Sequence, residues 1–168
     1  TDCQGVRGEV QGEGIQRPGM IRKALISDVE KIQKIINHFA AKDLMLPRSL
    51  SEIYENLRDF FVYLEDGEIA GCVALHIFWK DLSEVKSLAV LEPYQKKGIG
   101  GKLLMGCIEE AKTLGAGRLF VLTYRPEFFQ HRGFSPVDKG ELPHKIWTEC
   151  VKCNKFPECG EVTLIMEL

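Results

Sequence analysis

The stretch whose reading decides the fold is VKSLAVLEPYQKKGIGGKLL, residues 85–104. Residues 85–91 form an apolar run ended by Pro93, which predicts a strand. From Gly98 onward Ile99, Leu103, Leu104, Cys107, Ile108 and Ala111 recur at helical spacing, and Gly115 supplies a C-terminal stop, so residues 98–114 read as an amphipathic helix. Between strand and helix lies a basic, glycine-rich loop. Glycines let backbone N–H groups approach an anion closely, a helix start adds positive potential, and Lys96, Lys97 and Lys102 add charge. A pyrophosphate fits there; the plainer reading is a glycine-rich helix entry with solvated lysines. Other nucleotide loops fit poorly. The Gly-x4-Gly-Lys-Ser/Thr pattern is absent, and Leu103 stands where Gly-x-Gly-x-x-Gly needs its third glycine.

Working outward, the apolar period switches between 2 and 3.6, which predicts a mixed α/β domain. Ile21 starts a short strand. Ser27-Asp28-Val29-Glu30 reads as a capping box before Val29, Ile32, Ile35, Ile36 and Phe39 on one helical face. Ser49-Leu50-Ser51-Glu52 reads as a second, before a helix carrying Ile53, Leu57 and Phe60 or Phe61. Residues 61–65 and 69–79 flank Asp66-Gly67 as a hairpin. Residues 118–123 read as a buried strand, 126–132 as a short helix stopped by Gly133, and 162–166 as a last strand. Residues 1–19 hold five glycines and few large apolar side chains. They are expected to be a flexible N-terminal extension, leaving residues 20–168 as one domain.

Bulk properties narrow the function classes. A chain of 168 residues is one ordinary domain, and 45% hydrophobic with 27% charged residues excludes collagen-like and wholly disordered chains. The 22 basic and 24 acidic residues leave a net charge of -2, with no field to draw nucleic acid or an anionic membrane. No apolar run approaches the ~20 residues of a membrane span and no signal pattern opens the chain, so a cytoplasmic location is expected. The six cysteines are scattered as in reduced proteins, except Cys150, Cys153 and Cys159. With His144 upstream these invite a zinc reading, but only Cys150 and Cys153 form a close ligand pair, so no metal is expected and free thiols or a labile disulfide fit better. Cys72 and Cys107 read as core thiols.

The run Gln95-Lys96-Lys97-Gly98-Ile99-Gly100, preceded by a Leu-Ala-Val strand, resembles the Gln/Arg-x-x-Gly-x-Gly/Ala signature of the GNAT family of N-acetyltransferases. The order of elements from Met20 to Leu168 resembles that fold too. The resemblance implies a single α/β GNAT domain with a mixed, mostly antiparallel sheet and flanking helices. It implies acetyl-CoA as co-substrate, its pantetheine arm beside Leu88, Ala89 and Val90, and its phosphates on Gln95, Lys96, Lys97, Gly98, Ile99, Gly100 and Gly101. A narrower resemblance lies in Gly71-Cys72-Val73-Ala74-Leu75-His76-Ile77-Phe78-Trp79, Asp81-Leu82-Ser83-Glu84, Phe120-Val121-Leu122-Thr123, Glu127-Phe128-Phe129 and Gly133-Phe134-Ser135-Pro136-Val137-Asp138. These look like the acetyltransferase domain of N-acetylglutamate synthases, in the short form that lacks the amino-acid-kinase domain. The implied function is N-acetylation of L-glutamate in arginine biosynthesis, by a chain with a small-molecule amino-acid substrate and possible homodimer assembly.

Acetyl transfer to an amine needs a base, a polarised carbonyl and relief of charge on the leaving thiolate. Glu84, at the start of the Leu-Ala-Val strand where the family often places a glutamate, is the candidate base; the rival reading is a solvated strand-end carboxylate. Backbone N–H near Leu88 is expected to polarise the carbonyl. Many family members carry a Tyr four residues before the Gly-Phe pair, but here Phe129 stands there. Tyr124 is the substitute candidate acid, against a plain packing role. A dicarboxylate acceptor needs cations, for which Arg48, Lys86 and Arg125 are the candidates, each also readable as surface charge. The alternatives are a GNAT enzyme acting on another small amine or a protein amine, and a non-catalytic acyl-CoA sensor.

Overall fold

The computed structural model describes residues 17–142 and 160–168. Seven strands, β1 (Met20–Lys23), β2 (Phe60–Glu65), β3 (Glu68–Trp79), β4 (Leu82–Val90), β5 (Arg118–Thr123), β6 (Ser135–Pro136) and β7 (Val162–Glu167), form one sheet in the order β1-β2-β3-β4-β5-β7-β6. Every neighbouring pair is antiparallel except β4 and β5, whose parallel pairing needs the crossover supplied by α3 (Ile99–Thr113). The mixed, mostly antiparallel sheet expected from the sequence is therefore present.

Two layers cover it. On one face α1 (Val29–Ala40) and α2 (Leu50–Glu55) bury Val29, Ile32, Ile35, Ile36 and Ile53 against Phe60, Val62, Cys72 and Ala74. The other face carries α3 and α4 (Pro126–Gln130), with Leu103, Leu104 and Cys107 packed on Val73, Leu75, Val85, Leu119 and Val121. All six α3 residues read as its apolar face are buried.

Turn chemistry behaves as the residues demand. Asp66 and Gly67 both take positive φ in the two-residue β2–β3 turn, which matches the twist of a tight hairpin. Ser49 accepts from the Glu52 backbone N–H while the Glu52 carboxylate accepts from Ser49 N–H, so the second capping box forms.

The first capping box does not. Residues 26–28 form a 3-10 turn, and Asp28, rather than Ser27, takes the chain's donors: its carboxylate accepts from Leu25 N–H at 2.7 Å and from both guanidinium nitrogens of Arg22. An Arg two residues inside β1 outbids a neutral hydroxyl because the bonds to the carboxylate are charge-assisted. The second helix is shorter than expected. It ends at Glu55, Leu57 falls in a separate 3-10 turn, and Phe60 and Phe61 belong to β2. β4 starts three residues before the expected strand, at Leu82. β6, too short to show a period, was not legible. Gly19, just ahead of β1, lies so close to the Tyr63 ring that a side chain there would run into it. Residues 1–16, and the tail residues His144, Cys150, Cys153 and Cys159, lie outside the described residues. Among the described residues no helix is long and apolar enough to cross a membrane.

Candidate active site

β4 and β5 pair only from Leu82↔Arg118 to Val85↔Val121. Beyond Val85 they part, while β5 stays on β7 as far as Thr123. The cause is visible in β4. Its register with β3 jumps from Ala74↔Lys86 to Cys72↔Ala89, one extra residue on the β4 side, and Ser87 sits in that bulge at φ 56. A bulge bends its strand and sharpens its twist, which opens the sheet at its centre.

The opening is edged by half-buried apolar side chains, Leu88 and Val90 from β4, Tyr94 from the turn after it and Phe128 from α4. Ala89 points to the other face, into the α1/α2 core. Leu91 N–H donates to the Ala70 carbonyl at 2.9 Å, so the alternation of an antiparallel ladder turns the peptide groups of Val90 away from β3 and toward the opening. One end of the gap thus presents the Val90 N–H within an apolar slot.

The glycine loop closes the slot. Lys96 at φ 64 and Gly98 at φ 80 are both left-handed, and this alternation about Lys97 gathers backbone N–H groups into a concave nest at the start of α3. Ile99 is buried and anchors the helix. A Cβ at Gly100 would lie in van der Waals contact with the Phe128 ring, at 3.4 Å, and one at Gly101 3.0 Å from the Arg132 guanidinium, so side chains from α4 and from just beyond it lie close over the start of α3. Lys96 and Lys97 are exposed beside the nest. These features fit a pyrophosphate: main-chain donors, positive helix end and flanking cations.

Two expectations about the loop change. Gln95 spends its amide on the Val90 carbonyl at 2.8 Å, bracing the loop rather than offering that group to a phosphate. Lys102 turns back to β2, 3.4 Å from the Tyr63 hydroxyl and over its ring. A further cation, Arg132, reaches Gly101 at the start of α3; it stacks 4.0 Å from the Phe128 ring centre and donates to the Phe128 carbonyl. Sequence reasoning missed it because it lies past the short helix, thirty-one positions from the glycine it covers.

On the α1/α2 face, Glu84 is 7% exposed and lies opposite His76 on β3 and Phe120 on β5. Lys86, two residues on, shares that face of β4 and is half-buried. The solvated strand-end reading of Glu84 therefore fails, since the strand begins two residues earlier and covers it. Arg48 lies in the α1–α2 loop, its peptide N–H on the Asn37 side-chain oxygen and its carbonyl on Gln33. Arg125 is exposed at the start of α4, just past β5, with only its backbone N–H engaged, by Thr123 Oγ1. Among the described residues the charged heads of Arg48, Lys86 and Arg125 have no ion-pair partner, while Arg22, Lys23, Lys42 and Arg118 each have one. Lys86 and Glu84 share one face of β4; Arg48 and Arg125 lie on other elements, the α1–α2 loop and the start of α4.

Phe129 is 5% exposed and packs edge-on between Phe128 and Phe134, so it is a core ring and supplies no proton. Tyr124 follows the last residue of β5, half-buried, at the mouth of the opening. Cys72 and Cys107 are buried and reduced, and burial pushes both thiols up to about 12. The pyrophosphate nest and the apolar slot thus lie on the α3/α4 face, and the buried Glu84 carboxylate lies on the other face of β4, just before that strand parts from β5.

The acetyltransferase (GNAT) family model matches residues 27–134. An uncharacterized N-acetyltransferase of Chlorobaculum tepidum is 36% identical over 148 residues, covering 88% of this chain and 96% of that protein. An amino-acid acetyltransferase of Mycobacterium tuberculosis is 32% identical over 133 residues, 77% of this chain and 76% of its own length. Among solved structures, N-acetylglutamate synthase from Neisseria gonorrhoeae, complexed with coenzyme A and N-acetyl-glutamate, superposes with a TM-score of 0.83 at 28% identity, covering 90% of this chain but 35% of that one. The chain belongs to the GNAT family and is an N-acetyltransferase that takes acetyl-CoA as its co-substrate.

Proposed function

We propose that the acceptor is the α-amine of L-glutamate, which makes the chain an amino-acid N-acetyltransferase of the N-acetylglutamate synthase kind. The observation that carries this reading is the presence, on one face of β4, of the buried Glu84 carboxylate and the Lys86 ammonium, which has no ion-pair partner among the described residues, next to where β4 leaves β5. The amino-acid acetyltransferase relatives support it.

Acetyl-CoA supplies the activated acetyl thioester. The residues of this chain do the rest. The nest at Lys96, Lys97, Gly98, Ile99, Gly100 and Gly101 holds the diphosphate, and Leu88 and Val90 hold the arm in the slot. Glu84 takes a proton from the acceptor's ammonium, because only the neutral amine has a lone pair to attack with. Main-chain N–H on β4 beyond the bulge polarises the carbonyl without any reorganisation at the moment of reaction. With Phe129 a core ring, Tyr124 is the remaining candidate to protonate the leaving sulfur, a step that asks little of it since a thiol's pKa lies near ~8.5. Arg48, Lys86 and Arg125 are the cations for the two carboxylates of the acceptor.

A second reading keeps the chemistry and changes the amine. It is favoured by the Chlorobaculum relative, which matches over nearly its whole length and whose name carries no acceptor. The ratio of kcat/KM for glutamate, aspartate and glutamine separates the two. Aspartate is one methylene short and glutamine leaves a cation unpaired, so glutamate should lead both. Truncating the correct cation should cost ~2 to 4 kcal/mol in kcat/KM, about thirty- to nearly a thousandfold. A wild type that prefers a neutral or cationic amine sinks the acceptor assignment. Full glutamate activity in Arg48→Ala, Lys86→Ala and Arg125→Ala sinks the clamp.

A further inference from the structure

The stoichiometry of the reaction leaves a proton to be removed. Acetylating an ammonium forms one N–C bond and breaks one C–S bond. Nitrogen gives up two protons, of which one goes to the thiolate sulfur and one to solvent. Glu84 is buried, so a proton it accepts must leave through something else before the next turnover.

Directly across the β3–β4 ladder from Glu84 stands His76. Opposed residues of an antiparallel pair project to the same face, so the imidazole and the carboxylate are side-by-side neighbours. His76 is not an idle strand histidine. Its Nδ1 lies 2.7 Å from the Asp59 carboxylate, contributed by the 3-10 turn that ends at β2, and its ring stands edge-on to Phe78 at 5.1 Å. With Asp59 as partner, Nδ1 carries a proton, which leaves Nε2 as the nitrogen that can take and release one. Its side chain is 27% exposed and that of Asp59 23%, so the pair reaches from the buried carboxylate to water.

We propose that His76, held by Asp59, relays to solvent the proton that Glu84 takes from the acceptor. This rests on the reading of Glu84 as the base. His76 acts through Glu84, directly or across one bridging water, and is a positioning and relay residue rather than one that touches the acceptor. An imidazole suits the task because its ordinary pKa, near ~6.5, lies above a carboxylate's and close to neutral pH, so the ring can both take a proton and give it to water. Among the described residues the charged groups facing it are Asp59 from the 3-10 turn and Glu84 and Lys86 from β4. Arg58, beside Asp59, is exposed, and α3 packs on the opposite face of the sheet.

The test compares Glu84→Gln, His76→Gln, His76→Ala and Asp59→Asn with wild type, using acetyl-CoA and L-glutamate across pH. The relay requires kcat of His76→Gln to fall ~10-fold or more while both KM values stay within about twofold, and Asp59→Asn to fall in the same direction by less. Added imidazole should restore kcat of His76→Ala in a concentration-dependent way, which a packing role does not do. Loss of activity with a raised KM and no rescue overturns the relay, as does full activity in His76→Gln. Full activity in Glu84→Gln overturns the base assignment instead. A readout that needs no acceptor is the imidazole titration followed by NMR. In Glu84→Gln, losing the neighbouring negative charge should lower the His76 midpoint by at least ~0.3 units. An unmoved midpoint means the two side chains are not coupled, and the relay fails whatever the acceptor.

Discussion

Gln95 donates from its side-chain amide to the Val90 carbonyl at 2.8 Å, tying the first residue of the glycine loop to the last residue of β4. The strand that would hold the pantetheine arm and the loop that would hold the diphosphate are thereby one rigid unit. Removing this bond in Gln95→Ala should raise the dissociation constant for coenzyme A about three- to tenfold, the worth of one hydrogen bond that orients a site. Folding stability should stay within about 0.5 kcal/mol, since the side chain is exposed. Calorimetric titration and thermal melting read the two effects separately; unchanged affinity refutes the brace.

Gly98 and Gly100 are required for opposite reasons. At Gly98 nothing stands within 4 Å of a new Cβ, but φ is 80, so Gly98→Ala should cost about 1 kcal/mol in backbone strain. At Gly100 the backbone is ordinary helix and a Cβ would already touch the Phe128 ring at 3.4 Å, so the two further methyl groups of Gly100→Val should press on α4 and raise the coenzyme A dissociation constant more than ~10-fold. Adding Phe128→Ala should recover part of the loss in Gly100→Val and none in Gly98→Ala. Equal rescue of both would contradict this assignment.

Asp28 gives the fold a specific acid sensitivity. The Arg22 guanidinium, hydrogen-bonded to its carboxylate, holds Asp28 below the ordinary value of 3.8, helped by the Leu25 N–H. A lowered folded-state pKa means that the stabilisation is present in full above the unfolded value and is lost as pH falls through the folded one. Asp28→Asn should therefore cost ~1.5 to 3 kcal/mol at neutral pH, and the gap to wild type should close as pH falls below 3.8 and through the lowered folded-state value. Urea titrations at a series of pH values measure it; a gap that persists at the lowest pH means the loss is packing, not charge.

The buried thiols should be chemically silent. With pKa values pushed to about 12 by burial, Cys72 and Cys107 hold almost no thiolate at mildly alkaline pH. Mass-spectrometric mapping after iodoacetamide treatment should find both unlabelled in native protein and labelled in guanidinium. Native labelling at either position shows that its layer opens.

What the sequence by itself determined is whatever a few neighbouring residues decide together. The Ser49–Glu52 capping box, the Asp66-Gly67 turn, the buried stripe of α3 and the glycine-rich start of that helix all rest on spacings of four residues or fewer, so they were legible before any folding. The Ser27 capping box was misread for the complementary reason: Asp28 found a charged donor in Arg22 on β1, and a charge-assisted bond wins over a hydroxyl's. Tertiary structure alone decided the cleft. Ser87 takes a left-handed φ without being a glycine, a bulge visible only when β3 lies alongside β4, and that bulge is what parts β4 from β5. The facing of His76 and Glu84, the Asp59 contact, the return of Lys102 to Tyr63 and the reach of Arg132 to Gly101 join residues eight to thirty-nine positions apart. No local period encodes such pairs, because they form only once the chain has been brought back on itself by the register of the sheet.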